Sequence, residues 1–268
     1  AALENMGIEV RYGTWLVSGR PKTVLLNPDH NIGKLQHIKK QLWEDHQIPI
    51  GTDDSLYDIS LQWCDLVDTF FTLFSKHEKR TILFHGHEWM VCPALLNTTG
   101  AHSNVKTIFT THATRLGRVL AVNHKNFYDM MYEVDDQELA KQFGIPSIHQ
   151  LERQGANKTD CFTTVSQITG LECEALLGKL PDQITPNGLN IERFQDPHRI
   201  QIRHEKYKKQ IENFVIGHFF NATPFDLNKT LFLFTSGRYE YENKGFDIIV
   251  KALKKLNEKL IQEKVDVT

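Results

Sequence analysis

Residues 81–89 read TILFHGHEW. An apolar run with branched and aromatic side chains leads directly into two histidines, a glutamate and a tryptophan. Thr81–Phe84 is therefore predicted to be a buried strand, with Phe84 facing the core and His85 and His87 near its carboxyl end. In open α/β sheets, ligands bind outside the carboxyl ends of the strands. The stretch predicts an α/β fold with a polar site at this edge of the sheet.

Short apolar runs alternate with helical patterns along the rest of the chain. Helical spacing of apolar residues is found in Leu56–Phe74, in about Arg199–Phe214 and around Leu253. Further strands are predicted at Thr23–Leu26, Val105–Phe109, Cys161–Val165 and Thr230–Thr235. This alternation is typical of βαβ units, with a parallel sheet covered by helices on both faces.

Composition and charge exclude several classes of protein. The 268 residues are 40% hydrophobic, and 31 basic against 33 acidic side chains give a formal net charge of -2. This balance offers no charge excess for nonspecific binding of nucleic acid or an anionic membrane surface. No apolar stretch approaches the ~20 residues of a membrane helix. The four cysteines form no CxxC pair, so a reduced, cytoplasmic protein is expected.

Three interpretations of His85 and His87 are open at this point. A metal site would need further ligands at known spacing, and HEWMV is not the H-E-x-x-H pattern of zinc proteins. Histidines near a strand end are also common structural residues. The third interpretation is a ligand pocket at the mouth of the sheet.

Similar polar clusters follow other predicted strands, which favours the pocket. They are TIFTTHATRLGR (107–118), FTTVSQIT (162–169) and ITPNGLN (184–190). In FTTVSQIT, Ser166 is placed to cap the next helix. In ITPNGLN, a turn at Pro186–Gly188 exposes the amide of Asn187, which can donate to and accept from sugar hydroxyls.

The segment SGRYEYENKG (236–245) has the composition of an anion site. Arg238 follows a predicted strand, and Lys244 precedes a predicted helix, whose free N–H groups and positive dipole end favour an anion. Arginine offers a bidentate fork to phosphate oxygens, and lysine offers a point charge. The alternative is an ordinary surface arginine and lysine near a helix start.

These clusters, in this order, resemble eukaryotic-type glycogen synthase, a retaining glucosyltransferase. The most specific matches are THAT-x-LGR, TPNGLN and GRYE-x-x-NKG, and RYGTWLVSG (11–19), HEW (87–89) and FVIGHFF (214–220) also match. The similarity spans nearly the whole chain. Arg115, where the family pattern has an apolar residue, and the segment Gly144–Asp160 depart from it.

The resemblance implies a GT-B architecture of two Rossmann-like domains. Residues 1–225 would be a doubly wound acceptor-side domain, and residues 226–268 would begin the domain that binds the nucleotide sugar. The chain thus resembles part of a longer enzyme, and residues 1–268 alone are expected to be inactive.

The resemblance also implies an activity and its residues. Glucose would pass from UDP-glucose to the non-reducing end of an α-1,4-glucan such as glycogen. Arg238 and Lys244 would hold the leaving diphosphate, and Asn187 would bind a hydroxyl. His87 would face the donor glucose in a sugar pocket, whereas His85 would be structural. No metal or other cofactor is expected. A glycogenin-like primer protein and a homo-oligomer are the implied partners.

Two other functions are compatible with these patterns. One is another GT-B enzyme, such as a sucrose-forming transferase or a nucleotide-sugar epimerase, which a panel of acceptors would distinguish. The other is a non-catalytic glucan-binding scaffold.

Overall fold

The structure is a computed structural model that describes residues 2–52, 54–124, 126–191, 197–219 and 226–267. The chain divides into two compact units, Ala1–Asn187 and Gly188–Thr268. The domain boundary predicted after residue 225 lies outside the described residues and stays a prediction. The two units are treated one at a time below.

A four-stranded parallel sheet forms the centre of the first unit. Its strands are β3 (Ile82–His87), β4 (Val105–Thr111), β5 (Cys161–Thr164) and β6 (Gln183–Ile184), in the order β3-β4-β5-β6. The register pairs Gly86 with Phe109 and His87 with Thr110, and all strands run the same way. The α/β fold predicted from the sequence is confirmed.

Nine α-helices are described in this unit. They are α1 (Ala2–Asn5), α2 (Leu35–His46), α3 (Ser55–His77), α4 (Cys92–Thr98), α5 (Arg115–Asn123), α6 (Phe127–Met130), α7 (Asp136–Gln142), α8 (Pro146–Lys158) and α9 (Gln167–Leu177). Short polar side chains cap the starts of α3 and α9, because a helix start leaves backbone N–H groups without partners. Asp54 accepts from Leu56 N at 2.8 Å, and Ser166 accepts from Thr169 N at 3.2 Å, as the sequence predicted for Ser166.

The helices between these strands lie on one face of the sheet. Each crossover from β3 to β6 steps one strand in the same direction, and right-handed crossovers that step one way place their helices on one side. Phe84, Phe109 and Phe162 point to that side, whereas Leu83 on the other side is 66% exposed. A doubly wound sheet needs a reversal of strand order, which the four described strands do not have, so that arrangement stays a prediction.

The core of this unit packs between the covered face and the helices. Tyr57 and Trp89 stack at 6.3 Å between ring centroids, and Phe109 and Phe162 stack at 5.6 Å. A second cluster around Leu116 joins α5, α7 and α9. These apolar contacts hold the helices against the sheet and against one another.

The strand predicted at Thr23–Leu26 is not part of the parallel sheet. It is β2 (Lys22–Leu26), which pairs antiparallel with β1 (Val10–Thr14) as a separate hairpin. The connection of seven residues includes Gly19 at φ 83°, and it is too short for the crossover that parallel strands need. The prediction of a parallel strand here was wrong because it considered the apolar run without its partner.

The second unit is helical in its described residues. It contains α10 (Pro197–Phe219), α11 (Phe246–Gln262) and a 3-10 turn at Leu227–Lys229. Both helical predictions are confirmed, with α10 longer than expected.

The strand predicted at Thr230–Thr235 is not formed, and Phe234 is 93% exposed. A strand needs a neighbour for its backbone hydrogen bonds, and the described residues provide none here.

Candidate functional site

The carboxyl end of β3 carries two histidines on one face. His85 and His87 are two residues apart on a strand, so their side chains point the same way, and their ring centroids are 4.3 Å apart. Both rings are exposed at the surface of the unit. The site predicted at this strand end is therefore an open polar surface, formed by residues that share a face.

A line of hydrogen bonds crosses three strands beneath these rings. His85 Nε2 lies 2.7 Å from Thr110 Oγ1, and Thr110 Oγ1 lies 2.5 Å from Thr163 Oγ1. Both threonines are buried. Buried hydroxyls need partners, so this line fixes the ring of His85 against the sheet.

The backbone beside the histidines is tightly constrained. Gly86 lies at a position of β3 that faces the helices. A Cβ atom there would come within 2.3 Å of Val91 Cγ2. Glu88 adopts a φ of 66°, which is uncommon for a residue other than glycine. Its N–H donates to Thr110 O at 2.9 Å, so β4 helps to hold this turn.

His87 is linked to a third histidine at the end of β4. His87 Nδ1 lies 3.1 Å from His112 Nε2, and the ring centroids are 5.4 Å apart. Partial burial lowers the pKa of His87, and the neighbouring His85 and His112 lower the pKa further. His87 is therefore in its neutral form at neutral pH.

Two buried carboxyl groups accept hydrogen bonds from the start of the helix that follows His112. Thr114 is the N-cap of α5, and Glu172 Oε1 accepts from Thr114 N at 2.9 Å and from Thr114 Oγ1 at 2.6 Å. Glu152 Oε2 accepts from Arg115 N at 2.7 Å. A helix start leaves backbone N–H groups without partners, so these carboxyl oxygens stabilise the start of α5 as hydrogen-bond acceptors.

The three carboxyl groups near His87 all have ion-pair or hydrogen-bond partners. Glu88 Oε1 forms an ion pair with Arg118 of α5 at 3.3 Å, while Glu152 and Glu172 are bonded to the start of that helix. Burial raises the pKa of Glu152 well above the usual range, and Glu88 and Glu172 raise it further. None of these three carboxylates projects as a free group beside His87.

Asn187 lies on the same edge of the sheet, past the end of β6. It is exposed, and its backbone is neither helical nor in a strand. Strands are about 4.8 Å apart, so the ends of β3 and β6, three spacings apart, are separated by roughly 14 Å. The first unit thus carries His87 and Asn187 at one edge but at opposite ends of it.

The second unit carries Arg238 and Lys244 in one loop before α11, Arg238 in a bend and Lys244 in the turn at 241–245. Arg238 is paired with Glu240 at 3.0 Å, and its side chain is 70% exposed. Lys244 N donates to Glu240 O at 2.9 Å. A Cβ atom on Gly237 would lie 3.2 Å from Lys244 Cγ, so the backbone of Gly237 packs against the Lys244 stem.

Gly245, at φ 70°, is the N-cap of α11 and makes no side-chain cap hydrogen bond. The first turn of that helix also contains Asp247, which pairs with Lys251 at 3.0 Å.

Two further properties of the described part of the chain bear on function. No cluster of three or more His, Cys, Asp or Glu residues there has the arrangement to hold a metal ion. None of the described helices combines the length and apolar character needed to cross a membrane.

Sequence reasoning located some residues of this site without their contacts, and it missed others. Thr110 and His112 lie within a recognised motif, but their contacts with β3 depend on strand register. Glu152 and Glu172 lie on helices far along the chain and carry no local signal. Only the Thr114 cap has a sequence pattern, an apolar helical run that starts after a threonine.

Comparison with known proteins identifies the family. The model of the glycogen synthase family matches residues 1–268, the full length of the chain. The chain belongs to the glycogen synthase family. The resemblance seen in THAT-x-LGR, TPNGLN and GRYE-x-x-NKG is therefore confirmed at the level of the family.

Curated members of the glycogen synthase family are similar along nearly the whole chain. Glycogen (starch) synthase of Neurospora crassa is 39% identical over 260 residues, or 97% of this chain and 37% of that protein. Isoform 2 from Saccharomyces cerevisiae is 41% identical over 265 residues, covering 96% and 37%. The Homo sapiens liver protein is 37% identical over 268 residues, covering 100% and 38%. The chain thus spans little more than a third of the length of these relatives.

Proposed function

We propose that the whole protein transfers glucose from UDP-glucose to the non-reducing end of an α-1,4-glucan, with retention of the anomeric configuration. The observation that carries this proposal is the family match over residues 1–268. The similar curated proteins from fungi and mammals are named glycogen (starch) synthases. The polar strand ends of the first unit supply a surface where a sugar could bind.

We infer a GT-B architecture, with a doubly wound acceptor-side domain over residues 1–225 and a donor-side domain that begins at residue 226. The parallel sheet of the first unit supports the first half of this inference.

The proposed chemistry assigns the leaving group to the second unit. Arg238 and Lys244 bind the diphosphate and stabilise the negative charge that develops on it, which is usually the largest catalytic contribution. Their position in one loop, with Gly237 against the Lys244 stem, supports a shared ligand. Arg238 must then exchange its ion pair with Glu240 for the phosphate.

The donor glucose is assigned to the first unit. His87 orients the glucose hydroxyls at the reaction centre, and Asn187 binds another hydroxyl. Retaining glycosidases use two carboxyl groups about 5 Å apart. Glu88, Glu152 and Glu172 are engaged with Arg118 and the start of α5, which supports a route without such a pair. In that route the leaving phosphate takes the proton of the acceptor, and Arg238 and Lys244 neutralise the diphosphate without a metal ion.

Partners and location follow from the same proposal. UDP-glucose and glycogen are the substrates, a glycogenin-like protein supplies the primer, and the whole protein forms a homo-oligomer in the cytoplasm.

The test is glucosyl transfer by the whole protein, measured as incorporation of labelled glucose from UDP-glucose into glycogen. We expect elongation with α-1,4 linkages, and no product with fructose phosphate as acceptor. Arg238→Ala and Lys244→Ala should each lower kcat by ~10²-fold, because each removes one charge that stabilises the transition state. The double variant should lose less than the product of the two effects, since both groups serve one diphosphate.

Lys255→Ala is the matched control, because Lys255 is an exposed lysine of α11 outside the loop that carries Arg238 and Lys244. Near-normal kcat in both single variants would refute the diphosphate assignment. Elongation of no glucan would refute the proposed function.

A further inference from the structure

Arg115 is a half-buried arginine at the start of α5 whose guanidinium group has no partner among the described residues. Its side chain forms no ion pair or hydrogen bond with any of them, and its Nε is buried. Buried polar groups in proteins nearly always have a hydrogen-bond partner, and a partly buried charge without a counter-ion is unfavourable. The guanidinium of Arg115 therefore lacks an oxygen that a bound molecule can supply.

The carboxyl groups around the start of α5 do not provide this oxygen. Glu152 accepts from the backbone N–H of Arg115 at 2.7 Å, and Glu172 accepts from the helix N-cap. Glu88 is paired with Arg118 at 3.3 Å. Burial also raises the pKa of Glu152 well above its usual range, which favours its neutral form. Within the described part of the chain, the positive charge of Arg115 thus has no counter-ion.

Helix geometry places this charge at the carboxyl edge of the sheet. Arg115 is the first residue of α5, the helix that follows β4. Side chains of a helix tilt towards its N-terminus, so a side chain in the first turn leans past the helix start. Arg118 lies one turn further along the same face and reaches Glu88, the residue after His87. Arg115 therefore lies near the edge that carries His87, where α/β sheets bind their ligands.

The proposed function does not use this charge. The diphosphate of the donor is assigned to Arg238 and Lys244, and the transferred glucose is neutral. Arg115 stands where the family pattern has an apolar residue, so transfer to an ordinary glucan does not need a cation there. A guanidinium group binds phosphate oxygens through two parallel N–H groups, which makes phosphate the anion that it fits best.

We propose that Arg115 is a specificity-determining residue that binds a phosphate monoester on a glucose unit of the acceptor glucan. This inference rests on the proposed function, in which the first unit belongs to the acceptor-side domain. A glucan without phosphate remains a substrate, and a phosphorylated glucan binds more tightly because its phosphate neutralises Arg115.

The experiment compares two acceptors that differ only in phosphate. The whole protein is assayed with a phosphorylated α-1,4-glucan and with the same glucan after enzymatic removal of the phosphate. We expect KM to be ~10-fold lower for the phosphorylated glucan, as one hydrogen-bonded charge pair provides. Arg115→Leu should abolish this difference and leave kcat/KM for the dephosphorylated glucan nearly unchanged. Arg115→Lys, which keeps the charge without the fork, should retain part of it.

Arg80→Leu is the matched control for the loss of an arginine. Arg80 is exposed and precedes β3 at the amino end, so it belongs to the same unit but lies at the opposite edge of the sheet. This variant should keep the full preference for the phosphorylated glucan.

Binding without turnover is the second readout. Calorimetric titration of the whole protein with a phosphorylated maltooligosaccharide, in the absence of UDP-glucose, should give tighter binding than with the unphosphorylated one. The difference should shrink as salt is added, because salt screens a partly exposed charge pair. It should be absent in Arg115→Leu. A purely structural role for Arg115 would instead lower the melting temperature and weaken the binding of both oligosaccharides equally.

Each outcome has a distinct meaning. If the unmodified protein elongates neither glucan, the proposed function is wrong. If it elongates and binds both glucans equally well, the proposed function stands and this inference is overturned. A preference for phosphate that persists in Arg115→Leu would also overturn it, since another residue would then bind the phosphate. Equal losses with both glucans in Arg115→Leu would overturn it as well.

Discussion

At the scale of single residues, Gly117 shows how closely the start of α5 is packed. It lies in the first turn of that helix, and a Cβ atom there would come within 2.2 Å of Glu172 Oε1 and 2.6 Å of Thr114 Oγ1. These two atoms form a buried hydrogen bond, and Thr114 Oγ1 also accepts from Gly117 N at 2.9 Å, which caps the helix. A glycine therefore stands where helix propensity alone would favour alanine.

Gly117→Ala should destabilise the protein by about 2–4 kcal/mol, because the added methyl group displaces Glu172 from its buried partners. The free energy of unfolding in urea measures this. Gly217→Ala is the matched control, since Gly217 is an exposed glycine of α10 with open space around it. That change should be neutral or stabilising by up to about 1 kcal/mol. Equal stability of the two variants would contradict the close packing at Gly117.

At the scale of elements, α5 is held by hydrogen bonds to buried carboxyl groups as well as by packing. Glu152 of α8 is fully buried, caps Arg115 N, and has no described partner for Oε1. Burial raises its pKa well above 4.5, with further contributions from Glu88 and Glu172. The folded protein therefore binds a proton at Glu152 more tightly than the unfolded chain does.

The sign of the resulting pH dependence follows from linkage. Above the ordinary glutamate pKa the unfolded chain releases this proton while the folded protein keeps it, so stability falls as pH rises towards the raised value. Glu152→Gln cannot ionise, and its amide oxygen can still accept from Arg115 N. We expect the variant to lose less stability than the unmodified protein between about pH 5 and 8.

Urea unfolding at several pH values measures both slopes, with Glu44→Gln on the exposed side of α2 as the control. Asp136 does not interfere in this range. Its burial would raise its pKa, but the hydrogen bond from His149 and the charges of His149 and Arg153 bring the pKa below 3.8. Its contribution is lost only as pH falls through that lower value. Parallel slopes in the Glu152→Gln variant and the unmodified protein would contradict the raised pKa of Glu152.

At the scale of the whole molecule, buried residues are unevenly distributed. Among the described residues, all those that are buried lie between Leu3 and Leu177. The second unit has long helices, but Leu253 and Leu256 of α11 are each about two-fifths exposed. Helices in proteins are stabilised mainly by packing of their apolar face, so the two units should differ in local stability.

Hydrogen exchange of the 268-residue chain, followed by mass spectrometry, should show this difference. We expect amides of β4 and β5 to be the most protected, and those of α10 and α11 to exchange much faster. The physical reason is that opening a helix without a buried face costs little free energy. Protection of α11 equal to that of β4 would mean that its apolar stripe is covered in solution.

The sequence by itself determined the local elements and the family of this protein. Periodicity located β3, β4 and β5 and the helices α3, α10 and α11, because burial of one face leaves a pattern that neighbours in sequence display. Residue types at the strand ends predicted a polar edge, and Ser166 was recognised as a cap. The motifs around His112, Asn187 and Arg238 were sufficient for the family resemblance.

Only the tertiary structure decided which elements pair and which polar groups meet. An apolar run does not state its partner, so β2 was assigned to the parallel sheet, and Thr230–Thr235 was assigned as a strand without a neighbour. The contact of His87 with His112 depends on the register of β3 and β4, and the capping of α5 by Glu172 depends on the packing of α9. Such contacts join residues 25 to 58 positions apart, and their energy comes from distance and burial in the folded chain, which local patterns do not encode.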